Sequence, residues 1–224
     1  MRKQKQLIAA ACIGTLVLFA AAGAAAVAAS SPVIEAGQGN TAGQETDTAA
    51  GSLLYYSIPV WGTIKSISDN RISLDNLSQN VASGEVVIQV IDQETRVLDA
   101  VDGYPVSLKD LQEGDFIYAY LGPVMTMSLP PITNAKMIIC KAPADFKVPE
   151  YLNIKDAVMQ EDGSVTLTPY NGNFSSYHVP ADCGITPYLT RNLVTLRDLT
   201  QGRSVLLWSD ADGNAVKIVL FAGD

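Results

Sequence analysis

Short runs in which apolar and polar residues alternate recur through the chain from residue 54 onward, the period of a strand with one buried face. Leu54, Tyr56, Ile58 and Val60 alternate, and residues 61–67 continue in extended form to Ile67. Asp69-Asn70 follows, two residues that tolerate the positive φ of a hairpin turn. Ile72, Leu74 and Leu77 then predict a return strand, and the β-branched run at residues 86–91 a third. Asp102-Gly103 is a second turn signal. Residues 115–121 and 135–141 predict a fourth and a fifth strand.

Beyond a link at residues 143–149 the plan returns. Leu152 and Ile154 open it, Asp162-Gly163 is a hairpin turn, and Val165 and Leu167 are the return strand. Asn171-Gly172 turns again. Strands follow at 176–179, 205–208 and 215–220, the last after Asp212-Gly213. Neither set contains a long amphipathic helix. One ten-residue pattern recurs closely, at 106–115 and at 194–203. Ser107 and Thr195 suit the N-cap of a short helical turn, and Asp110 and Asp198, three residues on, suit a reach back to the cap N–H. Leu108 and Leu111, like Leu196 and Leu199, share a face that can plug a core. Gly114 and Gly202 then end each turn. The expected fold is all-β, with tandem small OB-like five-stranded β-barrels, each with one short capping helical turn. The first spans residues 53–142 and the second 150–224.

The copies part at one place. Counted from the ten-residue pattern they lie 88 positions apart, but Asn134 and Asn214 are only 80 apart. The first copy therefore holds eight extra residues between its fourth and fifth strands, within residues 122–132. Met125, Met127 and Leu129 would alternate along an extended segment, with Pro130 and Pro131 holding polyproline geometry. Adaptable Met beside rigid Pro suits a partner-binding surface, and shortening the loop to the length of the second copy should leave folding intact. The alternative is a cover over a barrel mouth. A second candidate is an aromatic face: Tyr118 and Tyr120 point away from Ile117, Ala119 and Leu121, and Trp208 takes the corresponding place in the second copy. These rings either stack on a saccharide or pack one barrel on the other.

Charge sharpens the picture at the N-terminus. Three of the 15 basic side chains precede residue 30 and none of the 23 acidic ones does, so the remainder carries 12 against 23, a net −11. Such a surface repels phosphate backbones, and nucleic acid is not an expected partner. Residues 2–6 are basic and polar, residues 7–29 uncharged and apolar, and Ala26-Val27-Ala28 has the small residues of a cleavage site. Residues 1–29 therefore read as a signal peptide or, uncleaved, a membrane anchor. The protein is expected to be secreted or extracytoplasmic, touching a membrane only through that segment. Residues 30–52 read as a disordered linker. Cys12 sits too early in the apolar run to be a lipid-attachment site.

Export permits a disulfide between Cys140 and Cys183; the alternative is two small buried apolar side chains. The cysteine spacing and the lone His178 fit no zinc pattern. Asp210, Asp212 and Asn214 imitate the start of a calcium loop but lack its closing Glu, and a plain hairpin turn accounts for them. No nucleophile elbow, phosphate loop, dinucleotide fingerprint or zinc-protease motif is present. No catalytic residue, metal ligand or cofactor is assigned.

Trp61-Gly62-Thr63-Ile64, Ile67, Thr95, the pattern at 106–115 and the Met/Pro loop together resemble small secreted β-barrel modules of unknown function from Gram-positive, clostridia-like bacteria. The resemblance covers about residues 58–141 and departs in the second copy, where Asp115 becomes Arg203 and the proline loop is missing. It implies export and a β-barrel, beside cell-wall-associated domains, and brings no catalytic residue. The expected function is an exported, non-enzymatic binding or scaffold protein at the bacterial cell envelope, with an envelope protein or cell-wall glycan as partner. The alternative is an envelope hydrolase, or an inhibitor of one, that uses carboxylates between the two barrels.

Overall fold

A computed structural model describes residues 55–81 and 84–222. The expected leader, linker and Cys12 lie outside them. Strand β1 (Ile58–Ser68) serves two neighbours. Its first half pairs with β5 (Phe116–Leu121) and its second with β2 (Arg71–Asn76), both antiparallel, around a register shift between Ile64 and Ser66 that bends the strand. Asp69, at φ 51°, makes the expected turn between β1 and β2. β2 pairs with β3 (Gly84–Gln89). β3 runs parallel to the start of β6 (Ile132–Cys140), whose length also carries it along β5. Strands β1, β2, β3, β6 and β5 thus close a five-stranded barrel. Outside the ring, β4 (Arg96–Asp99) lies parallel to the second half of β6.

The second sheet is built from β7 (Glu150–Met159), β8 (Val165–Pro169), β9 (Tyr177–Val179), β10 (Gly184–Pro187), β11 (Ser204–Ser209) and β12 (Ala215–Leu220). Its order is β10-β12-β11-β7-β8-β9, beside β4-β6-β5-β1-β2-β3 in the first. A single parallel bridge between His178 and Asn214 links β9 to the turn before β12. The chain is therefore all-β, a closed barrel and a second sheet, with helix confined to two 3-10 turns at Leu108–Asp110 and Leu196–Asp198 among the described residues.

Both turns fall where the capping pattern places them, though their bonding differs. Ser107 Oγ accepts from Lys109 N at 3.3 Å, and the carboxylate that folds back is Asp115, on Gln112 N at 2.8 Å. In the second turn Asp198 accepts from Thr195 N at 2.7 Å and from its hydroxyl at 3.0 Å, as expected. Those bonds, backbone first, hold the Asp198 carboxyl below its usual pKa. Gly114 and Gly202 end the turns at φ 92° and 83°.

Alternation sorts the side chains into three cores. Ile117, Ala119 and Leu121 of β5, with Ala135, Ile138 and Cys140 of β6, fill the barrel. Leu152, Ile154, Leu167, Tyr177, Val205 and Ile218 fill the inner face of the second sheet. The opposite faces meet in a third core, where Leu98, Tyr120, Met137 and Ile139 pack with Tyr151, Leu206, Trp208, Val219 and Phe221. Strands β4 and β10 carry no alternation that reveals them. Val97 faces the barrel core and Leu98 the third, so β4 is buried on both sides and reads in sequence as a mere apolar pair.

The disulfide does not form. Cys140 and Cys183 are both free, the first buried in the barrel core with its thiol toward Leu98 O, the second half-buried against the core of the second sheet. The two cysteines belong to different cores, which explains why they do not meet. Among the described residues no helix is long and apolar enough to cross a membrane.

Candidate functional site

The residues singled out in the sequence separate in space. Tyr120 and Trp208 are buried in the third core, where the Trp208 ring N–H donates to Ala100 O at 2.8 Å. Both rings are largely covered, though Tyr120 still lines the cleft described below. Tyr118 is partly buried against the same core, in edge contact with Phe116. The Met/Pro loop is not extended as expected. It folds back on itself: Thr126 N donates to Ile132 O, Ile132 N to Thr126 Oγ1, and Ser128 Oγ to Pro130 O, all within 2.9 Å. The Leu129–Pro130 peptide bond is cis, and Pro131 O accepts from Val87 N, which ties the loop to β3. Met125 packs on the barrel core, while Met127 and Leu129 stand fully in solvent. Pro130 and Pro131 are half-buried at the base.

The Asp210–Asn214 segment is a closed turn. Asp210 Oδ1 accepts from Asp212 N and Asn214 N, both at 2.9 Å, and Oδ2 takes the Asn214 amide at 2.8 Å. Among the described residues no group of three His, Cys, Asp or Glu side chains is placed to hold a metal ion.

A cleft of about 970 Å³, to which both sheets contribute, lies elsewhere. Residues 56–59, leading into β1, form one wall with Trp61 and Tyr118, which are paired across β1 and β5. Residues 148–152 and the loop 169–175 form the other. Sequence holds these parts in place. Asn153 Nδ2 donates to Tyr55 O at 2.7 Å, Tyr55 stacks on Tyr170 with ring centres 5.1 Å apart, and Asn171 Nδ2 donates to Ser57 Oγ at 3.0 Å. The entry to β1 is thereby fastened to the loop after β8.

Glu150 is the one carboxylate among the residues that line this cleft. It is only 6% exposed. One oxygen, Oε2, accepts from Tyr177 OH at 2.8 Å and from Asn173 N at 2.9 Å. Tyr177 OH in turn accepts from Asn173 N and Phe174 N, so the loop is moulded around a buried phenol. Burial first, then the Glu150 charge and the bond to it, push the Tyr177 pKa well above its ordinary value. Burial and the same charge raise that of Tyr120. The other Glu150 oxygen, Oε1, takes no hydrogen bond, and neither does Asn171 Oδ1. A smaller cleft of about 470 Å³ includes Tyr55, Glu94, Arg96, Lys136 and Ser204, with the Arg96 guanidinium 4.8 Å from the centre of the Phe221 ring.

Sequence reasoning did not single out Glu150, Tyr177 or Trp61 as site residues. The signal was present for the first. Glu150 shares its strand face with Leu152 and Ile154, the inward face of β7, and a carboxylate at an inward position of an alternating strand asks for an explanation. No protein-family profile matches the chain, and no curated protein matches it either.

Proposed function

We propose that this is an exported, non-enzymatic binding or scaffold protein of the bacterial cell envelope, built as two OB-like modules in tandem. The modules would span residues 53–142 and 150–224, behind a signal peptide or anchor and a linker. The shared strand order of the two sheets supports the tandem reading. So does the recurrence of the capped turn, and the resemblance to secreted envelope modules agrees with both. The observation that carries the binding assignment is the aromatic cleft, with Trp61, Tyr118, Tyr170 and Phe174 around the buried Glu150. Ring faces beside a few convergent polar groups are the usual composition of a ligand site.

The same cleft argues against the hydrolase alternative. Glycoside hydrolysis ordinarily needs two carboxyl groups flanking the bond, and here Glu150 stands alone among the lining residues. Mixing the protein with purified cell wall tests the assignment. The protein should pellet with the wall and release no soluble fragments, and Trp61→Ala should weaken pelleting. Fragments that disappear on replacing Glu150 would establish the hydrolase instead.

A second surface has its own observation. Met127 and Leu129 are presented to solvent on a loop braced by its own hydroxyls. An apolar tip on a fixed base suits contact with an envelope protein. Met127→Ser with Leu129→Ser should abolish capture of such a partner by the protein and leave cleft binding untouched.

A further inference from the structure

We infer that the cleft recognises an organic cation, a protonated amine carried by its ligand. The inference rests on the cleft being the binding site and adds the chemistry of what it holds. Glu150 brings a negative charge to the cleft, and no Lys, Arg or His is among the residues that line it. The nearby Lys147 is committed elsewhere. Its ammonium lies over the Phe174 ring, 5.5 Å from the centre, held by Ser209 Oγ and the Asp210 carbonyl. The charge on Glu150 is therefore balanced by neutral donors alone, through one oxygen.

Two further observations point the same way. Glu150 Oε1 and Asn171 Oδ1 are acceptors without donors, and both belong to residues that line the cleft. Each is covered from solvent, so Oε1 acts through the field it projects into the cleft rather than through an open contact. With no donor of the protein on Oε1 to offset it, that field favours a cation in the cleft over a neutral group. The rings add a second attraction, since the faces of Trp, Tyr and Phe draw a cation within about 6 Å. Trp61 and Tyr56 are among the exposed large side chains of the chain. A neutral polyol would leave the charge unanswered. The acidic balance of the whole chain steers cations inward as well.

An amine of this kind can come from a deacetylated amino sugar or from a lysine-bearing peptide, and one experiment separates them. The full chain is titrated with a fully deacetylated and a fully N-acetylated glucosamine tetramer, and with a short lysine peptide and its acetyl-lysine form, following binding by calorimetry. At least one cationic member should bind about tenfold or more tightly than its acetylated twin. That preference should shrink with added salt and vanish in Glu150→Gln, whose amide oxygen can still accept from Tyr177. Trp61→Ala should weaken the cationic twin more than the acetylated one, and it stands as the working variant if Glu150→Gln fails to melt cooperatively, equal weakening of the two then counting against the charge assignment. Equal binding of acetylated and cationic twins would overturn the charge assignment and leave the cleft as a site. A cation preference that survives in Glu150→Gln would overturn it too. Binding by none of the four probes would count against the charge assignment and the cleft together.

Discussion

At the scale of single residues, the third core is held by specific contacts. Gly103 sits at φ 71°, and a Cβ there would fall 2.7 Å from Cη2 of Trp208. Gly103→Ala should lose at least about 1 kcal/mol in urea unfolding, from backbone strain and the clash together. Trp208→Phe removes the donor to Ala100 O and should cost about 1–3 kcal/mol through the buried carbonyl it abandons. The cysteines give a pH prediction. Burial pushes both thiols up to about 11, with Asp182 adding to the effect at Cys183. Above about pH 9 the unfolded chain has released thiol protons that the folded chain still holds, so rising pH favours unfolding. The melting temperature should fall between about pH 9 and 10, where the buried Tyr120 and Tyr177 add to the fall, and the fall should become shallower in a Cys140→Ala, Cys183→Ala variant. In the native protein at pH 8, iodoacetamide should leave Cys140 unmodified, and labelling without denaturant would contradict its burial.

At the scale of elements, the Met/Pro loop shows what patterning can and cannot deliver. Its extra length was legible as the eight residues by which the stretch 106–134 exceeds the stretch 194–214. Its conformation was not, because it depends on the hydroxyls of Thr126 and Ser128 finding each other and the backbone. An apolar tripeptide pattern says nothing of such bonds. The same limit hid β4 and β10, four-residue strands without a period to read. Strands β1 and β2 were legible by alternation, and β5, β6, β11 and β12, buried over much of both faces, as longer apolar runs bounded by turn signals. The pairing of Glu150 with Tyr177 was not, since 27 residues separate them and only the fold of β7 and β9 joins them. The loop also divides into testable parts. Met127→Ser with Leu129→Ser should change stability by no more than about 0.5 kcal/mol. Met125→Ser should cost about 1–2 kcal/mol, because Met125 closes the barrel core. Cutting the loop to the length of its counterpart would remove Met125 as well, so it should destabilise rather than leave folding intact.

At the scale of the whole molecule, the third core decides whether the barrel and the second sheet behave as one body. The described residues all belong to a single compact unit. Leu206, Met137 and Ile139 are wholly buried where the two outer faces meet, and Trp208 reaches across to the carbonyl of Ala100. Separating the sheets would bare that entire apolar layer, at a cost of about 25 cal/mol for each Å² exposed. That shared cost predicts that the molecule unfolds in one step. Leu206→Ala tests this from the shared layer. It should cost about 2–5 kcal/mol. Hydrogen exchange reads how that loss is distributed. Protection should fall by a similar factor in β2 of the barrel and in β8 of the second sheet, neither of which carries residues of the third core. A loss confined to β8, with β2 unchanged, would mean that the barrel stands by itself and that the shared layer only docks two independent bodies.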